Sequence, residues 1–188
     1  MYKRQVSKGN KKVTSKTIAL YLKYLEESFL IEKSKRFDVK GKKYIETPSK
    51  YYFVDIGIRN SLINFRQIEK THIMENIIYT ELRRRGFNVD VGIVEKRKTD
   101  ENGKKYYTQL EVDFVANKGS DKYYIQSAYS IEDNSKREQE LQSLLNISDN
   151  FKKMVIVYDS FIKWQDDNGI VYILSLIHIS EPTRLGMI

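Results

Sequence analysis

Two short runs carry the residues best suited to chemistry: Leu110-Glu111-Val112-Asp113-Phe114-Val115-Ala116 and Lys122-Tyr123-Tyr124-Ile125-Gln126-Ser127-Ala128. Read as neighbouring strands, the first sets Glu111 and Asp113 on one face with Leu110, Val112 and Phe114 on the other. The second sets Tyr124, Gln126 and Ala128 on one face. An acid on one strand beside a polar residue on the next is the ground plan of a Mg2+-dependent phosphodiesterase. Carboxylates hold the metal there, and a lysine positions the attacking water or stabilises the developing charge. Asp113 is the expected ligand, and Glu75, on a preceding helix, stands as an accessory acid, so Glu75 and Asp113 form the metal set. Gln126 occupies the second acid position of an Asp…Glu-x-Lys site and Ala128 its lysine position, making Glu75, Asp113 and Gln126 the catalytic set. A neutral amide adds no charge and alanine cannot polarise water, so the site reads as degenerate; Lys118 and Lys122 are the lysines that could replace the missing charge.

The elements needed to position these residues follow from periodicity and turn chemistry. Thr71 is expected to cap a helix carrying Ile73, Ile77, Ile78 and Leu82, with Arg83 to Arg85 favouring its C-terminal dipole and Gly86 ending it. Strands are predicted at Phe87 to Glu95, Tyr106 to Ala116 and Lys122 to Ala128, with Lys96 to Lys105 as an exposed hairpin loop. Glu132 to Leu145 reads as an amphipathic helix and Met154 to Tyr158 as a buried strand. Helix, three strands, helix and strand is the order of a restriction-endonuclease-like α/β core. Before it, Tyr51 to Val54 reads as a short strand and Asp55 as the cap of a brief helix.

The N-terminal part has a different character. The chain has a net charge of +8, and residues 6–53 hold 12 Lys/Arg against 5 Asp/Glu, whereas residues 54–173 hold 18 against 19. A basic surplus confined to one segment suits a polyanion such as DNA. There, Ser15 is expected to cap a helix with Ile18, Leu22, Leu25 and Phe29 at helical spacing. Strands at Leu30 to Phe37 and Lys43 to Ile45 follow, joined by a basic turn. Helix, strand, turn and strand make the second half of a winged helix, in which Lys16, Thr17 and Tyr21 would approach a groove while Lys40, Lys42 and Lys43 touch phosphate.

The ends read differently again. Leu174-Ser175-Leu176-Ile177 can be encoded by a string whose reverse complement translates as Tyr-Lys-Arg-Gln, the sequence from Tyr2 to Gln5. The tail also resembles the translation of a sequencing adapter, so residues 1–5 and 174–188 are read as sequencing artefacts. The expected organisation is therefore a partial winged helix at 6–49 and a nuclease-like α/β domain at 50–173. With no cysteine, disulfides and thiolate metal sites are excluded. No apolar run reaches the roughly 18 residues of a membrane span, so a cytoplasmic protein is expected. His72 is the sole histidine before the tail, too few for a histidine metal site or a Ser-His-Asp triad. Tyr106, Tyr107, Tyr123, Tyr124 and Tyr129 read as packing residues more than as base-stacking platforms.

The run Lys50 to Asn60, the pair Glu75-Asn76, the strand Glu111 to Val115 and the phrase Tyr123-Tyr124-Ile125-Gln126 resemble the C-terminal domain of unknown function of bacterial and archaeal AAA-type ATPases. The resemblance spans roughly residues 13–173. It implies an upstream P-loop ATPase module that would bind ATP and support oligomerisation; no G-x-x-x-x-G-K-[ST] occurs in this chain. The expectation is a nucleic-acid- or partner-binding module of such an ATPase with a degenerate nuclease-like site. Its rivals are a Mg2+-dependent nuclease and a pure protein-interaction module.

Overall fold

A computed structural model of the chain describes residues 14–66, 69–129, 141–158 and 164–174. The expected terminal artefacts, save Leu174, and the first part of the helix expected from Glu132 lie outside these residues. The elements are α1 (Ser15–Glu27), β1 (Ile31–Asp38), β2 (Lys43–Phe53), α2 (Ile56–Leu62), α3 (Lys70–Arg84), β3 (Asn88–Thr99), β4 (Lys105–Lys118), β5 (Asp121–Ala128), a helical segment at 141–145, β6 (Lys152–Val157), β7 (Trp164–Gln165) and β8 (Val171–Leu174). They form a mixed α/β architecture around one eight-stranded sheet of order β2-β1-β3-β4-β5-β6-β8-β7. The β1–β3, β5–β6 and β6–β8 pairs are parallel and the rest antiparallel.

The central strands are buried on both faces, which is why β6 is a continuous apolar run. One face packs Phe114, Ala116, Ile125, Met154 and Ile156 against Met74, Ile78, Tyr79 and Leu82 of α3. The other packs Val112, Val115, Tyr124, Val155 and Val157 against Leu141, Leu144 and Ile147. At the far edge Trp164 stacks on Tyr172 at 4.4 Å between ring centres, closing the β7–β8 hairpin.

The N-terminal strands belong to the same sheet. β1 runs parallel to β3 through Arg36, Phe37 and Asp38, and the Val39 amide continues the pairing by donating to the Ile93 carbonyl. The segments expected as separate strands at Lys43–Ile45 and Tyr51–Val54 are one strand, β2, which crosses the expected division at 49/50. Between Ile45 and Lys50 its register against β1 slips: Glu46, Thr47, Pro48 and Ser49 face the single residue Lys35. Pro48 cannot donate to a ladder, so the sequence there suggests a break; the chain instead bulges, and Arg36 Nε binds the Pro48 carbonyl at 3.1 Å.

Several local expectations are corrected by hydrogen bonding. α1 is capped by Thr14, whose hydroxyl accepts from the Thr17 amide at 3.1 Å, not by Ser15. α3 begins after Glu69 without a side-chain cap, and Thr71 lies inside the helix. Lys96 to Thr99 and Lys105 are strand rather than loop, since Lys96↔Thr108 through Thr99↔Lys105 continue the β3–β4 ladder. Their side chains are solvated, so no apolar alternation marks them; only Asp100 to Lys104 turns, with the Asp100 carboxylate accepting from the Asn102 and Lys104 amides. Asp55 does cap α2 through the Ile58 amide at 3.0 Å, and Gly86 ends α3 with φ +81°. Arg83 pairs with Glu32 of β1, and Arg84 and Arg85 share Glu81, so all three arginines of the basic helix end are engaged in ion pairs.

Asn76 fixes α3 to the end of β2. Its side-chain oxygen accepts from the Phe53 amide at 2.8 Å and its nitrogen donates to the Phe53 carbonyl at 2.7 Å, the two-way pairing another strand would supply. Removing the amide leaves two half-buried main-chain groups of Phe53 without this partner. Asn76→Ala is expected to cost about 2–3 kcal/mol in urea denaturation, and Asn76→Asp, which cannot donate to the carbonyl, to recover little of it. A loss within measurement error for the alanine variant would contradict this role.

Candidate functional site

The acids named from sequence converge. Glu75 projects from the first half of α3, Glu111 and Asp113 from β4, and all three surround a residue from the outer edge of the sheet, Lys50 of β2. Its ammonium lies 2.8 Å from Glu75 Oε1, 2.7 Å from Glu111 Oε1 and 3.9 Å from Asp113 Oδ1. Tyr52, on the same side of β2, donates to the same Glu75 oxygen at 2.6 Å while its ring stacks on Tyr79. Arg36 of β1 takes the second oxygen of Glu111 at 2.9 Å. Five charged groups from four elements thus form one network, each of them no more than one-third exposed.

Two irregularities aim these side chains. The bulge at Glu46–Ser49 precedes Lys50. A second lies in β4, where the register passes from Asp90↔Val115 to Gly92↔Val112, so that Asp113 and Phe114 together oppose Val91. Phe114 therefore joins the α3-side core with Ala116, against the strict alternation expected, while Asp113 stays beside Glu111. Gly92 permits this crossing, since a Cβ there would lie 2.9 Å from side-chain atoms of both Val112 and Val115.

On β5, the residue that meets the Asp113 carboxylate is Ser127. Its amide and hydroxyl both donate to Asp113 Oδ2, at 2.9 and 2.6 Å. Gln126 touches Asp113 differently: its carbonyl oxygen accepts from the Asp113 main-chain amide at 3.3 Å, at the bulge that interrupts the ladder. Ala128 is buried in the opposite apolar cluster with Tyr124 and Val157. Lys118 is directed to the Arg85 carbonyl and the Phe87 ring, and Lys122 lies over Phe37 and Phe151, so Lys50 supplies the positive charge for which those two are the sequence candidates.

The electrostatics follow from this geometry. Burial and then the neighbouring Glu75 charge push the Asp113 carboxyl up to about 6, against the pull of Lys50 and the two Ser127 hydrogen bonds. Burial works against the Lys50 ammonium, but Glu75 and Asp113, with the hydrogen bonds to Glu111 and Glu75, outweigh it and hold its pKa above the ordinary lysine value. Tyr52 is raised by burial and by the Glu75 carboxylate it serves, so it remains a donor. With Asp113 ionised the network holds three negative and two positive charges; protonation of Asp113 makes it neutral.

A divalent cation does not fit this arrangement. Mg2+ requires oxygens at about 2.0–2.1 Å in octahedral array, whereas the point between Glu75 and Glu111 is taken by Lys50. Among the described residues no group of three histidine, cysteine or acidic side chains is disposed to hold a metal. The basic residues named from sequence lie elsewhere. Lys40, Lys42 and Lys43 are exposed at the β1–β2 turn, which Val39 anchors in the core and Asp38 shapes by accepting from the Lys40 and Gly41 amides. Lys16 and Tyr21 are exposed on α1, and Thr17 is half-buried. A wider hollow of about 560 Å³, lined by Glu32, Lys33, Tyr44, Arg83 and Asp90 among others, includes none of the three clustered acids.

Residues 3–69 match a family described as Domain of unknown function (DUF8612). The chain is 38% identical over 140 residues to an uncharacterized protein of Haemophilus influenzae, a match covering 74% of this chain and 31% of the relative. It is 34% identical over 130 residues to the uncharacterized protein MJ1544 of Methanocaldococcus jannaschii, covering 69% of this chain and 26% of that protein. The chain therefore spans less than one-third of the length of these relatives. No solved structure matches it significantly.

The Asp113 environment has a pH signature. Because its folded pKa lies above the ordinary value of 3.8, the folded state holds this proton more tightly than the unfolded chain. Its contribution is most favourable below about pH 4 and is lost as pH rises through about 6. Asp113→Asn carries no such titration. Its stability relative to the wild type should improve by about 2–3 kcal/mol between pH 4 and 7.5, measured by urea denaturation across that range. Parallel pH profiles would contradict the buried, raised carboxyl.

Proposed function

We propose that this domain is a catalytically silent, nuclease-derived module of a longer ATP-driven protein, and that it binds nucleic acid through its basic N-terminal part. The observation that carries the reading is the ammonium of Lys50 seated between Glu75, Glu111 and Asp113, where a hydrolase would need a metal and its activated water. The restriction-endonuclease-like interpretation is supported by the order of α3, β3 to β5, the helical segment at 141–145 and β6, with the acids on α3 and β4. On β5 it is Ser127 that meets the Asp113 carboxylate, while Ala128 packs in the opposite apolar cluster, so that strand brings no lysine to the acids. The excess length of the relatives leaves room for the P-loop module that the resemblance to AAA-type ATPases implies.

The nucleic-acid part rests on the turn between β1 and β2. Lys40, Lys42 and Lys43 are exposed on a short turn whose backbone is held by Asp38 and Val39. That geometry suits phosphate contact as in the wing of a winged helix, with α1 beside the groove. A second reading has its own observation. α1 buries none of its residues, and Leu20, Tyr21 and Tyr24 are exposed together with Phe29 just beyond it, a surface equally suited to a protein partner.

Titration of labelled duplex DNA by fluorescence anisotropy at several salt concentrations separates the two. Changing Lys40, Lys42 and Lys43 to Ala is expected to weaken binding across sequences and to reduce the salt slope by roughly 0.9 for each phosphate no longer neutralised. Salt-independent or unchanged binding would favour the protein-partner reading. DNA and RNA should remain intact in Mg2+ or Mn2+; cleavage that disappears in Asp113→Ala would overturn the silent reading.

A further inference from the structure

We infer that the hollow beside the end of α1 is a nucleobase pocket, so that the domain takes single-stranded nucleic acid in preference to duplex. The inference rests on the nucleic-acid reading above and names the form that is bound. At about 560 Å³ the hollow falls within the range of small-ligand sites, roughly 300–1,000 Å³. Its lining includes the buried, apolar Ile31 and Val89 and two exposed rings, Phe29 at 82% and Tyr44 at 59% exposure. Asn88 and Asn117, opposite one another on β3 and β4, add two side-chain amides that make no hydrogen bond among the described residues. Aromatic rings stack on an unpaired base, amides read its edge and ammonium groups hold its phosphates. The hollow brings all three kinds of group together.

Phe29 is not explained by packing. It lies just past α1 with φ 57°, its amide donating to the Glu26 carbonyl and the Leu30 amide to the Leu25 carbonyl, both at 3.0 Å. This is the two-bond helix ending whose left-handed position glycine ordinarily fills, because a Cβ there is strained. A bulky ring at that position, left largely in water, is unfavourable twice over for the isolated fold. Leu20, Tyr21 and Tyr24 of α1 are exposed but do not line the hollow, so Phe29 is separable from the apolar face of that helix.

Charge suits the same ligand. Lys33 and Lys35 of β1 line the hollow, exposed and in no ion pair among the described residues, with Lys35 Nζ 5.5 Å from the centre of the Tyr44 ring. β1 then runs on to the basic turn, which at about 3.3 Å per residue begins roughly 10 Å beyond Lys35. Of the acids in the lining, Glu32 is bound by Arg83 and Tyr79, and Asp90 accepts from the Tyr44 hydroxyl at 3.1 Å. Glu26 is the remaining one. A duplex keeps its bases stacked and paired and offers none to Phe29, whereas a single strand does.

The test is fluorescence anisotropy at several salt concentrations with a labelled mixed-sequence oligonucleotide, presented as a single strand and as its duplex. The chain is expected to bind the single strand about tenfold more tightly, and Phe29→Gly to lose about that factor, the loss of one base–aromatic stack. Duplex binding should be unchanged in this variant, and Phe29→Tyr should keep single-strand affinity. Phe29→Gly should also unfold at a higher urea concentration, since glycine relieves the left-handed strain. Lower stability would assign the ring to packing and overturn the inference. Changing Lys33 and Lys35 to Ala should reduce the salt slope for the single strand by roughly 0.7 for each phosphate no longer neutralised.

Equal affinity for the two forms would overturn the inference, as would a folded Phe29→Gly chain that keeps its single-strand affinity. In either case duplex binding that still depends on Lys40, Lys42 and Lys43 leaves the nucleic-acid reading standing. Binding of neither form would instead sink that reading itself. Self-association of the wild type in sedimentation, abolished by Phe29→Gly, would assign the ring to a second copy of the chain and would also overturn the inference.

Discussion

The contact on which the site and much of the sheet depend is the one between the Lys50 ammonium and the carboxylates of Glu75 and Glu111. It joins the strand at the sheet's outer edge to the helix that covers the core and to a central strand, three elements the chain order keeps well apart. Isolated, each partner would resist burial; together they offset one another's desolvation, and Arg36, Tyr52 and Ser127 occupy further oxygen lone pairs. Such a network contributes little net stability compared with apolar packing. Its strength is in register, because any slip of β2 would strand an unpaired charge in a low-dielectric setting. The Asn76 pairing with Phe53 works toward the same end through neutral hydrogen bonds: it holds α3 and β2 in the one relative position that brings Glu75 to Lys50.

Two bulges make the geometry possible. A regular β2 would alternate past the site without the offset at Glu46–Ser49, and a regular β4 would place Phe114 opposite the side it fills. Bulges interrupt ladders and leave main-chain groups to satisfy, and the surrounding residues answer that need: the Arg36 guanidinium takes the Pro48 carbonyl and the Gln126 side chain takes the Asp113 amide. Gln126 thus has a structural task, accepting from the main-chain amide at the bulge. Gly92 has another, since only a missing Cβ accommodates Val112 and Val115 so closely.

The features legible in the sequence are those encoded locally. Asp113 and Glu75 are identifiable because an acid amid apolar residues on a buried strand, and an acid on the covering helix, stand out against their neighbours. The Asp55 cap and the Gly86 stop are identifiable from residue type and position. Lys50 is hidden because its partners are set by tertiary folding and because Pro48 suggests a chain break just where β2 continues. Its faint signal is the pair Lys50 and Tyr52 on one face of an otherwise apolar stretch. Ser127 is obscured since alternation directs attention to Gln126 and Ala128, and the β4 bulge changes which neighbour meets the Asp113 carboxylate. The solvated ends of β3 and β4 are invisible for the opposite reason: Lys96 to Thr99 pair through the backbone and carry no apolar pattern at all.

The raised Asp113 carboxyl completes the physical logic of the cluster. Three carboxylates against Lys50 and Arg36 leave one negative charge too many for a site with little solvent, and the least solvated acid carries the strain. A metal would resolve the imbalance with two positive charges at one point; the two cationic side chains supply the same total charge but at separated points, one on each side of Glu111. That separation explains why Glu111 is held at both oxygens while Asp113, 3.9 Å from the ammonium, is stabilised mainly by Ser127. The Lys50 charge and the raised Asp113 carboxyl are therefore not independent features. An acid cluster kept for its place in the fold needs positive charge, and a charge delivered by the chain fixes strand register as well as neutralising the acids, which a diffusible ion would not do.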